Sequence, residues 1–334
     1  MRTGKQELFA TCRRFAWTAF VVLLFSRSPL AAQSRSGDRS SEGREVHVQM
    51  RNVMYHFRDD VAVHIRRLGG ELVPAEGRPM PVFDEKESFT LRIAAAEVAV
   101  RADSLARILN DNVFARNDSP IKDVSLTVAK DRLKIRGKLH SKGGLGFTAE
   151  GRLSATDGGK MRLHVEKIEA LHLPLKGIMD LLGVEIADLI KEGKVAGVRV
   201  EKDDLVLDLE QIIPPPRLSG KITQVLLEPD NIVPIFGDVL GYKWQPISAQ
   251  NYMAYRGNRI QFGKLIMNDT DLILIDSNPK DPFDFYLDHY REQLTAGWTK
   301  TTPEFGLRVF MVDRNKLKRG QSDLAPTRPA GFPR

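Results

Sequence analysis

The sequence predicts an α+β fold in which antiparallel strands dominate. Apolar and polar residues alternate over several runs in the centre of the 334-residue chain, as in a sheet with one buried face. Short turns such as Asp157-Gly158-Gly159 separate these runs, which is typical of hairpins. Two segments have the apolar periodicity of helices instead. Together these observations indicate hairpin-connected strands interrupted by two helices.

The predicted strands have an apolar residue at nearly every second position. Their apolar positions are Val124, Leu126 and Val128; Leu133, Ile135 and Leu139; Phe147, Ala149 and Leu153; Met161, Leu163 and Val165; Val198 and Val200; and Leu205, Leu207 and Leu209. The stretch 200–207 resembles 128–135, including a shared Lys-Asp pair. This likeness is either an internal repeat of a helix and a meander or a generic hairpin turn.

Two helices are predicted among these strands. Asp103 can cap a helix over 103–114. Its apolar side consists of Leu105, Ile108, Leu109 and Phe114. The second helix covers about 175–191, and apolar residues occupy most of its circumference. A helix of that kind must be nearly engulfed by protein or must contact a ligand.

The last third of the chain is expected to form further strands and one more helix. Pro214-Pro215-Pro216 interrupts the pattern, and a long strand is predicted over 218–228. More strands are expected within 251–276 and over 306–312. Asp281-Pro282 is a favourable helix start, which predicts a helix ending at Gly297. Its apolar stripe would be Phe283, Leu287, Tyr290 and Leu294.

The N-terminus has the three-part layout of a secretory signal peptide. Residues 1–15 are basic, residues 16–25 are mostly apolar, and the small pair Ala31-Ala32 follows. Ten apolar residues span about 15 Å as a helix, against about 30 Å for a bilayer core. We therefore expect a signal peptide over 1–32 and export to the periplasm or the exterior of a bacterium. An uncleaved membrane anchor is the alternative.

Composition bounds the rest of the chain. Residues 33–45 have no hydrophobic residue and predict a disordered linker, and the polar, Pro-rich 316–334 predict a disordered tail. The total charge is +7, but five basic residues and one acidic residue lie in 1–32, so the remainder carries only +3. We therefore predict no nucleic-acid partner. The single cysteine, Cys12, precedes the apolar stretch, which excludes a Cys-based zinc site in an exported mature chain.

No motif of known catalytic chemistry is present, and we predict no enzyme, cofactor or metal. The chain lacks a GxSxG elbow, a P-loop, an HExxH pair and a dinucleotide fingerprint. No two of its seven histidines stand three or four residues apart. Acids do cluster at Asp269, Asp271, Asp276, Asp281, Asp284 and Asp288. They are interpreted as turn and helix caps, with a calcium site or a hydrolase or transferase using the Asp276 region as alternatives.

A basic row consists of Lys134, Arg136 and Lys138, at alternate positions of one predicted strand. Such rows are usually solvated faces. The functional alternative is peripheral contact with an anionic membrane surface, worth about 1 kcal/mol per basic residue.

The segment 98–235 resembles the LmeA-like phospholipid-binding proteins of bacterial envelopes and, more distantly, the tubular lipid-binding (TULIP) superfamily. The residues that carry the resemblance are the helix 103–114, the run Val124-Ser-Leu-Thr-Val-Ala-Lys-Asp-Arg-Leu-Lys-Ile-Arg-Gly-Lys, the turn at 157–159, Leu-Pro-Leu at 173–175 and the hairpin at 198–209. It is a likeness of layout and hydrophobic pattern, over about 40% of the chain.

The resemblance implies a long curved antiparallel sheet wrapped around amphipathic helices, with acyl chains between them. It assigns 46–235 to a TULIP-like lipid-binding domain and leaves 236–315 as an α+β extension. The expected partner is a phospholipid or another hydrophobic molecule, held without catalysis. Candidate groove residues are Leu105, Ile108, Leu109, Ile178, Leu182, Ile186 and Leu189. The alternative is a protein-protein interaction module of the envelope with a fully packed core.

Overall fold

A computed structural model describes residues 45–116, 119, 121–139, 143–170, 173–175 and 197–318. Strands make up 56% of the structure and helices 11%. This composition, with its large antiparallel sheet, confirms a sheet-dominated fold. None of the helices in these ranges is long and apolar enough to cross a membrane.

The elements follow one another as a run of strands with short helices between them. The strands are β1 (Val46–Arg58), β2 (Val61–Pro74), β3 (Phe89–Arg101), β4 (Ile121–Ala129), β5 (Arg132–Leu139), β6 (Leu145–Ala155), β7 (Met161–Ala170), β8 (Leu173–Leu175), β9 (Val198–Glu201), β10 (Asp204–Leu207), β11 (Arg217–Ser219), β12 (Ile222–Glu228), β13 (Asn231–Gly237), β14 (Tyr252–Gly257), β15 (Ile260–Phe262), β16 (Leu265–Met267), β17 (Thr270–Asp276), β18 (Phe283–Tyr286), β19 (Trp298–Thr301) and β20 (Leu307–Met311). The helices are α1 (Ala102–Ile108), continued by a π-helical turn (Leu109–Val113), then α2 (Leu209–Ile212), α3 (Tyr290–Ala296) and α4 (Arg314–Lys318).

The larger sheet has eleven strands in the order β12-β13-β3-β2-β1-β14-β17-β20-β19, with β11 beside β3 and β18 beside β1. Strand β1 pairs with β2 along one edge and with β14 and then β18 along the other. The expected extension 236–315 therefore shares this sheet with the first three strands. The boundary expected at 235 falls inside β13.

The three long strands β1, β2 and β3 form because apolar residues alternate along them. In β1, Val53, Tyr55 and Phe57 are buried, and Val61, Val63 and Ile65 continue the buried face in β2. A register shift between Gly69 and Gly70 occurs opposite β3. A Cβ atom at Gly70 would lie 2.2 Å from the carbonyl oxygen of Arg92, so only glycine fits this bulge.

The smaller sheet confirms the predicted meander, except that its last strand ends at Leu207 and Leu209 begins α2. Its order is β4-β5-β6-β7-β10-β9, with β8 beside β7, and all of its pairs are antiparallel. The two similar Lys-Asp stretches form the turns of the β4–β5 and β9–β10 hairpins. Lys130 and Lys202 both have a φ of 59°. Both copies therefore adopt the same turn, which the hairpin interpretation also predicts.

The first predicted helix forms, but it begins differently. Helix α1 starts at Ala102, with Arg101 at the N-cap position and no side-chain cap. Asp103 is thus not the cap: it lies in the first turn, accepts a hydrogen bond from the amide of Ser104 and pairs with Arg101. The helix continues as the π-helical turn to Val113. Its predicted apolar side, Leu105, Ile108, Leu109 and Phe114, is buried.

The helix predicted from Asp281 is wrong in its first half. Residues Phe283–Tyr286 form β18, parallel to β1, and α3 begins only at Tyr290. The reason is a period of two: Phe283, Phe285 and Leu287 are buried. The end at Gly297 is confirmed as the C-cap of α3.

The long strand predicted over 218–228 is interrupted. Residues 217–219 pair parallel with β3, whereas Ile222–Glu228 pairs antiparallel with β13. Gly220 and Lys221 separate the two strands. The predicted strands within 251–276 and over 306–312 are confirmed as β14–β17 and β20. Helix α4 reaches Lys318 and so crosses the start of the expected tail at 316.

Most of the buried apolar residues of both sheets and of α1 form one continuous cluster, and Tyr252, Ala254 and Ile273 form a small separate one. Helix α1 packs against β2 of the larger sheet and β4 of the smaller sheet. Strand β12 packs against β6, and the amide of Ile222 donates a hydrogen bond to the carbonyl of Gly159. The apolar faces of the two sheets therefore meet in a shared core.

Candidate hydrophobic ligand sites

An apolar cavity of about 80 Å³ lies between α1, its π-helical turn and the smaller sheet. We call it the meander cavity. Its lining consists of Leu105, Leu109, Phe114, Ile121, Val124, Leu126, Leu133, Ile135, Phe147, Ala149, Met161, Leu163, Val165, Ile168, Val198, Leu205 and Leu207. Of the described residues, no polar side chain lines this cavity.

Two of the seven predicted groove residues line the meander cavity. Leu105 projects from α1 and Leu109 from the π-helical turn. Ile108 does not line it; this side chain is 1% exposed and packs within the core. Ile178, Leu182, Ile186 and Leu189, with most of the second predicted helix, lie outside the described residues.

A second apolar cavity, of about 90 Å³, lies against the larger sheet. We call it the tyrosine cavity. Its lining consists of Met50, Tyr55, Phe57, Val63, Ile65, Leu68, Leu72, Phe83, Phe89, Leu91, Ile93, Val98, Val100, Leu209, Ile213, Pro216, Leu218, Pro234, Phe236 and Tyr255. This cavity is not among the predicted sites, although the alternation of Val53, Tyr55 and Phe57 and of Val61, Val63 and Ile65 indicates two of its strands.

The volumes of the two cavities set what they can hold. A water-sized group needs about 10–15 Å³ of such space, so each cavity holds on the order of six methylene-sized groups. Typical small-molecule sites occupy about 300–1,000 Å³. The cavities therefore suit the end of an acyl chain and are too small for a whole phospholipid tail.

Tyr255 is one of the residues that line the tyrosine cavity, and its hydroxyl is buried. This residue is 0% exposed, and its Oη has no hydrogen-bond partner within the described part of the chain. Burial raises the pKa of Tyr255 well above its usual value, and neighbouring Tyr55 acts in the same direction. The phenol is therefore protonated and can donate a hydrogen bond.

The predicted basic row lies on the outward face of β5. Lys134 pairs with Glu150 at 2.8 Å, and Lys138 pairs with Asp123 at 2.8 Å. Arg136 lies between them on the same face and is exposed, as is Lys138, whereas Lys134 is half-buried. Acids on neighbouring strands offset much of the positive charge of the row. This weakens the field that would attract anionic head groups.

The acidic residues that cluster in the sequence pair with different residues in the structure. Asp271 pairs with Arg256 and Arg308, Asp284 contacts His56, and Asp288 pairs with Lys86. The described residues include no group of three or more His, Cys, Asp and Glu side chains placed to hold a metal ion.

Asp276 is the buried member of this acidic set, at 4% exposed. Its Oδ1 accepts a hydrogen bond from the amide of Asn278 at 2.8 Å, and its Oδ2 accepts one from Asn251 at 3.1 Å. Burial raises the pKa of Asp276 to about 6; Asp313 and Asp281 raise it further, and the two donors oppose the rise. Oδ1 thus caps the loop after β17, and Oδ2 ties the end of β17 to the residue that precedes β14.

Comparisons of this chain with protein-family models, curated proteins and solved structures found no match. What these residues can do is therefore argued from their own geometry. Two apolar cavities, each against the buried face of a sheet, define a candidate site for a hydrophobic ligand.

Proposed function

We propose that this chain is an exported bacterial envelope protein that binds phospholipid or another hydrophobic molecule without catalysis. The observation that carries the proposal is that every described residue lining the meander cavity is apolar. Lining of that kind favours a ligand by removing its methylenes from water, at about 0.8 kcal/mol each. Six methylenes contribute about 5 kcal/mol before the cost of association.

In this proposal the end of an acyl chain occupies the meander cavity, and the rest of the chain leaves through its mouth. Leu105 and Leu109 contact the acyl end from one side, and side chains of the smaller sheet contact it from the other side. The proposal includes a TULIP-like arrangement in which the sheet wraps around helices. It also includes the secretory signal over 1–32, whose basic and apolar parts support export.

The second candidate is an interaction module of the envelope with a packed core. The small volume of both cavities favours it. Two almost fully exposed apolar residues, Leu240 (90% exposed) and Phe305 (92% exposed), favour it as well. Such residues at a surface contribute to partner binding when they belong to a larger patch.

A cavity-filling substitution separates the two candidates. Ala149 lies in β6 and lines the meander cavity. Ala149→Leu adds apolar bulk inside the cavity, so we expect it to reduce the lipid carried by the protein several-fold. The measurement incubates the full-length chain with vesicles of equal parts dioleoylphosphatidylcholine and dioleoylphosphatidylglycerol. The protein is then separated by gel filtration and its lipid is quantified.

The matched control is Ala155→Leu, the same change in the same strand at a residue outside the cavity lining. It should carry as much lipid as the unmodified protein. Thermal unfolding of both variants shows whether overpacking has damaged the fold. Equal lipid loading of the unmodified protein and a folded Ala149→Leu would refute the meander cavity as the site. No loading of any of the three would favour the interaction module.

A further inference from the structure

A groove of about 720 Å³ lies on the outer face of the larger sheet. We call it the arginine groove. Its floor comes from β1, β2, β3 and β14, and its other wall comes from residues 244–248, which lie between β13 and β14. In β3, Glu97 lines the groove and the next residue, Val98, lines the tyrosine cavity. Because successive side chains of a strand point to opposite faces, the groove lies across the sheet from that cavity.

Hydrogen bonds hold the second wall of the groove in place. The side-chain amide of Gln49 donates to the carbonyl of Gln245 at 2.9 Å, and its oxygen accepts from the backbone amide of Gln245 at 2.8 Å. The indole of Trp244 donates to the carbonyl of Val239 at 3.1 Å. Both walls are thus formed by the protein itself, and the volume falls within the range of about 300–1,000 Å³ that small-molecule sites occupy.

Three arginines, Arg51, Arg66 and Arg67, line the groove. Arg51 in β1 and Arg67 in β2 are direct partners in the antiparallel register, and Arg67 is in turn the partner of Glu97 in β3. The Cβ atoms of such partners lie about 4.5–5.5 Å apart on one face, and like charges placed in this way destabilise a sheet. The register therefore brings two cationic side chains together at the groove.

The carboxylates beside these arginines are already engaged. Glu97 Oε1 accepts a hydrogen bond from Arg66 at 2.9 Å, and its Oε2 accepts one from Arg67 at 3.1 Å. Glu228 in β12 pairs with Arg66 as well. Arg51 forms no hydrogen bond or ion pair with any described residue. Three arginines thus face two carboxylates, and the uncompensated positive charge lies on Arg51.

We propose that the arginine groove binds an organic phosphate, whose phosphate group accepts hydrogen bonds from Arg51 and Arg67 and whose carbon body contacts Trp244. This inference goes beyond the proposed function, because the site lies on the other face of the sheet and requires no apolar cavity. The ligand is either free in solution or the head group of a lipid, and both present the same chemistry to the groove.

The charge and shape of the groove select this class of ligand. Each guanidinium presents a planar fork of N–H donors that matches an oxyanion. A phosphate monoester carries about two negative charges and three acceptor oxygens, so it compensates Arg51 and accepts from Arg67 at the same time. Inorganic phosphate would fill only a small part of the volume. Trp244, Pro246 and Ile247 offer aromatic and apolar contacts to an organic body.

Phenyl phosphate, benzoate and phenol are matched probes, since they share one ring and differ in the attached group. The protein is labelled with 5-fluorotryptophan and titrated with each probe, and binding is followed by fluorine-19 NMR. Trp244 reports on the groove, and Trp298, which stacks on Phe310 in β19 at 3.7 Å between ring centroids, is the internal control. We expect phenyl phosphate to shift the signal of Trp244 alone, benzoate to bind more weakly, and phenol not to bind.

The deciding variant is Arg51→Gln, which removes a charge and a donor fork from a side chain that pairs with no described residue. We expect its affinity for phenyl phosphate to be about ten-fold lower than that of the unmodified protein. The control is Arg217→Gln, the same change at an exposed arginine of β11 outside the groove, which should leave the affinity unchanged. Thermal unfolding of both variants verifies that they fold.

Equal affinity of Arg51→Gln and the unmodified protein for phenyl phosphate would overturn the site, and so would a Trp244 signal that does not move. Equal affinity for benzoate and phenyl phosphate would overturn the choice of phosphate. Glycerophosphoglycerol, the soluble head group of phosphatidylglycerol, separates the two sources. Binding of this probe that depends on Arg51 supports a lipid head group, and binding of phenyl phosphate alone supports a free organic phosphate. Lipid loading of the meander cavity tests the proposed function separately.

Discussion

At the scale of single residues, burying a polar group costs desolvation free energy. The surrounding residues offset this cost only where they form hydrogen bonds with the group. The side chains of Gln49 and Tyr252 form a hydrogen bond on the outer face of β14. Tyr255, three residues further on the opposite face, has no described partner. The same strand thus contains a tyrosine whose hydroxyl stabilises the ligand-free fold and another whose hydroxyl opposes it.

Tyr255→Phe should therefore stabilise the ligand-free protein. Removing a buried unpaired hydroxyl is expected to raise the free energy of unfolding by about 1 kcal/mol, since its desolvation cost disappears. Tyr252→Phe should lower it by a similar amount, because Gln49 loses a partner. Chemical denaturation of the two variants measures both changes. A loss of stability in both would show that the Tyr255 hydroxyl is paired in the free protein.

Asp276 predicts a pH dependence of stability. Its pKa in the folded protein, about 6, exceeds its ordinary value of 3.8, so the folded state holds the proton more tightly than the unfolded state. Burying the ionised carboxylate of Asp276 therefore lowers the free energy of unfolding. This penalty is fully present above pH 6 and disappears as the pH falls below about 3.8. Asp276→Asn removes this penalty and keeps an acceptor oxygen for the Asn278 amide.

The stability gained by Asp276→Asn should therefore be larger at pH 7 than at pH 4, by about 1–2 kcal/mol after allowance for solvent screening. Urea denaturation of the unmodified protein and the variant at both pH values measures this difference. A difference between the two proteins that does not change with pH would show that folding does not raise the pKa of Asp276.

At the scale of elements, glycines fix the register of the sheets. The β6–β7 pairing shifts between Glu150 and Gly151, and a Cβ atom at Gly151 would lie 2.1 Å from the carbonyl oxygen of His164. The shift keeps Phe147, Ala149 and Leu163 on the buried face across the bulge. This bulge therefore maintains the lining of the meander cavity.

Gly151→Ala should destabilise the protein by about 2 kcal/mol or more, because two backbones must separate. Gly146→Ala is the matched control in the same strand: a Cβ atom there meets nothing within 4 Å. Its effect should stay within about 0.5 kcal/mol. Thermal unfolding of both variants tests this, and equal melting temperatures would contradict the assigned bulge geometry.

The alternation of Val124, Leu126 and Val128 and of the later runs predicts the meander, because each strand has one buried and one solvated face. The same rule explains the error at 283–287. The Asp281-Pro282 signal favours a helix, but Phe283, Phe285 and Leu287 are buried against β1 and require a strand. A local helix signal does not decide the structure where burying alternate aromatic side chains in a strand contributes more to the free energy of folding.

The cavities are harder to predict than the strands around them. Tyr55 and Tyr255 line the same space from positions 200 residues apart; Tyr255 lies opposite Val48 in β1, and Tyr55 lies opposite Phe285 in β18. Register between distant strands does not follow from local pattern. Leu105 and Leu109 were predictable because helix periodicity alone assigns them to one face.

At the scale of the whole molecule, β1 joins the early and late parts of the chain. Its one edge pairs with β2, and its other edge pairs with β14 and β18. Tyr255, Phe283 and Phe285 are fully buried in the core that β1 helps to form. Folding of residues 46–235 is thus coupled to strands that follow them.

A chain that ends at residue 249 should fail to fold, because β1 would expose an unpaired edge and the core would lose its late aromatic residues. Far-ultraviolet circular dichroism and gel filtration of this truncated chain measure the outcome, with the full-length chain as the control. A monomeric fragment with cooperative unfolding would show instead that 46–235 is an independent domain.

The central claim is that the protein holds a hydrophobic ligand in an apolar space. Its most direct test is native mass spectrometry of the exported chain, purified without detergent. We expect a bound mass that organic solvent removes and that is recovered as phospholipid or another apolar molecule. A chain that has no bound mass after purification, and gains none after incubation with lipid vesicles, would contradict it.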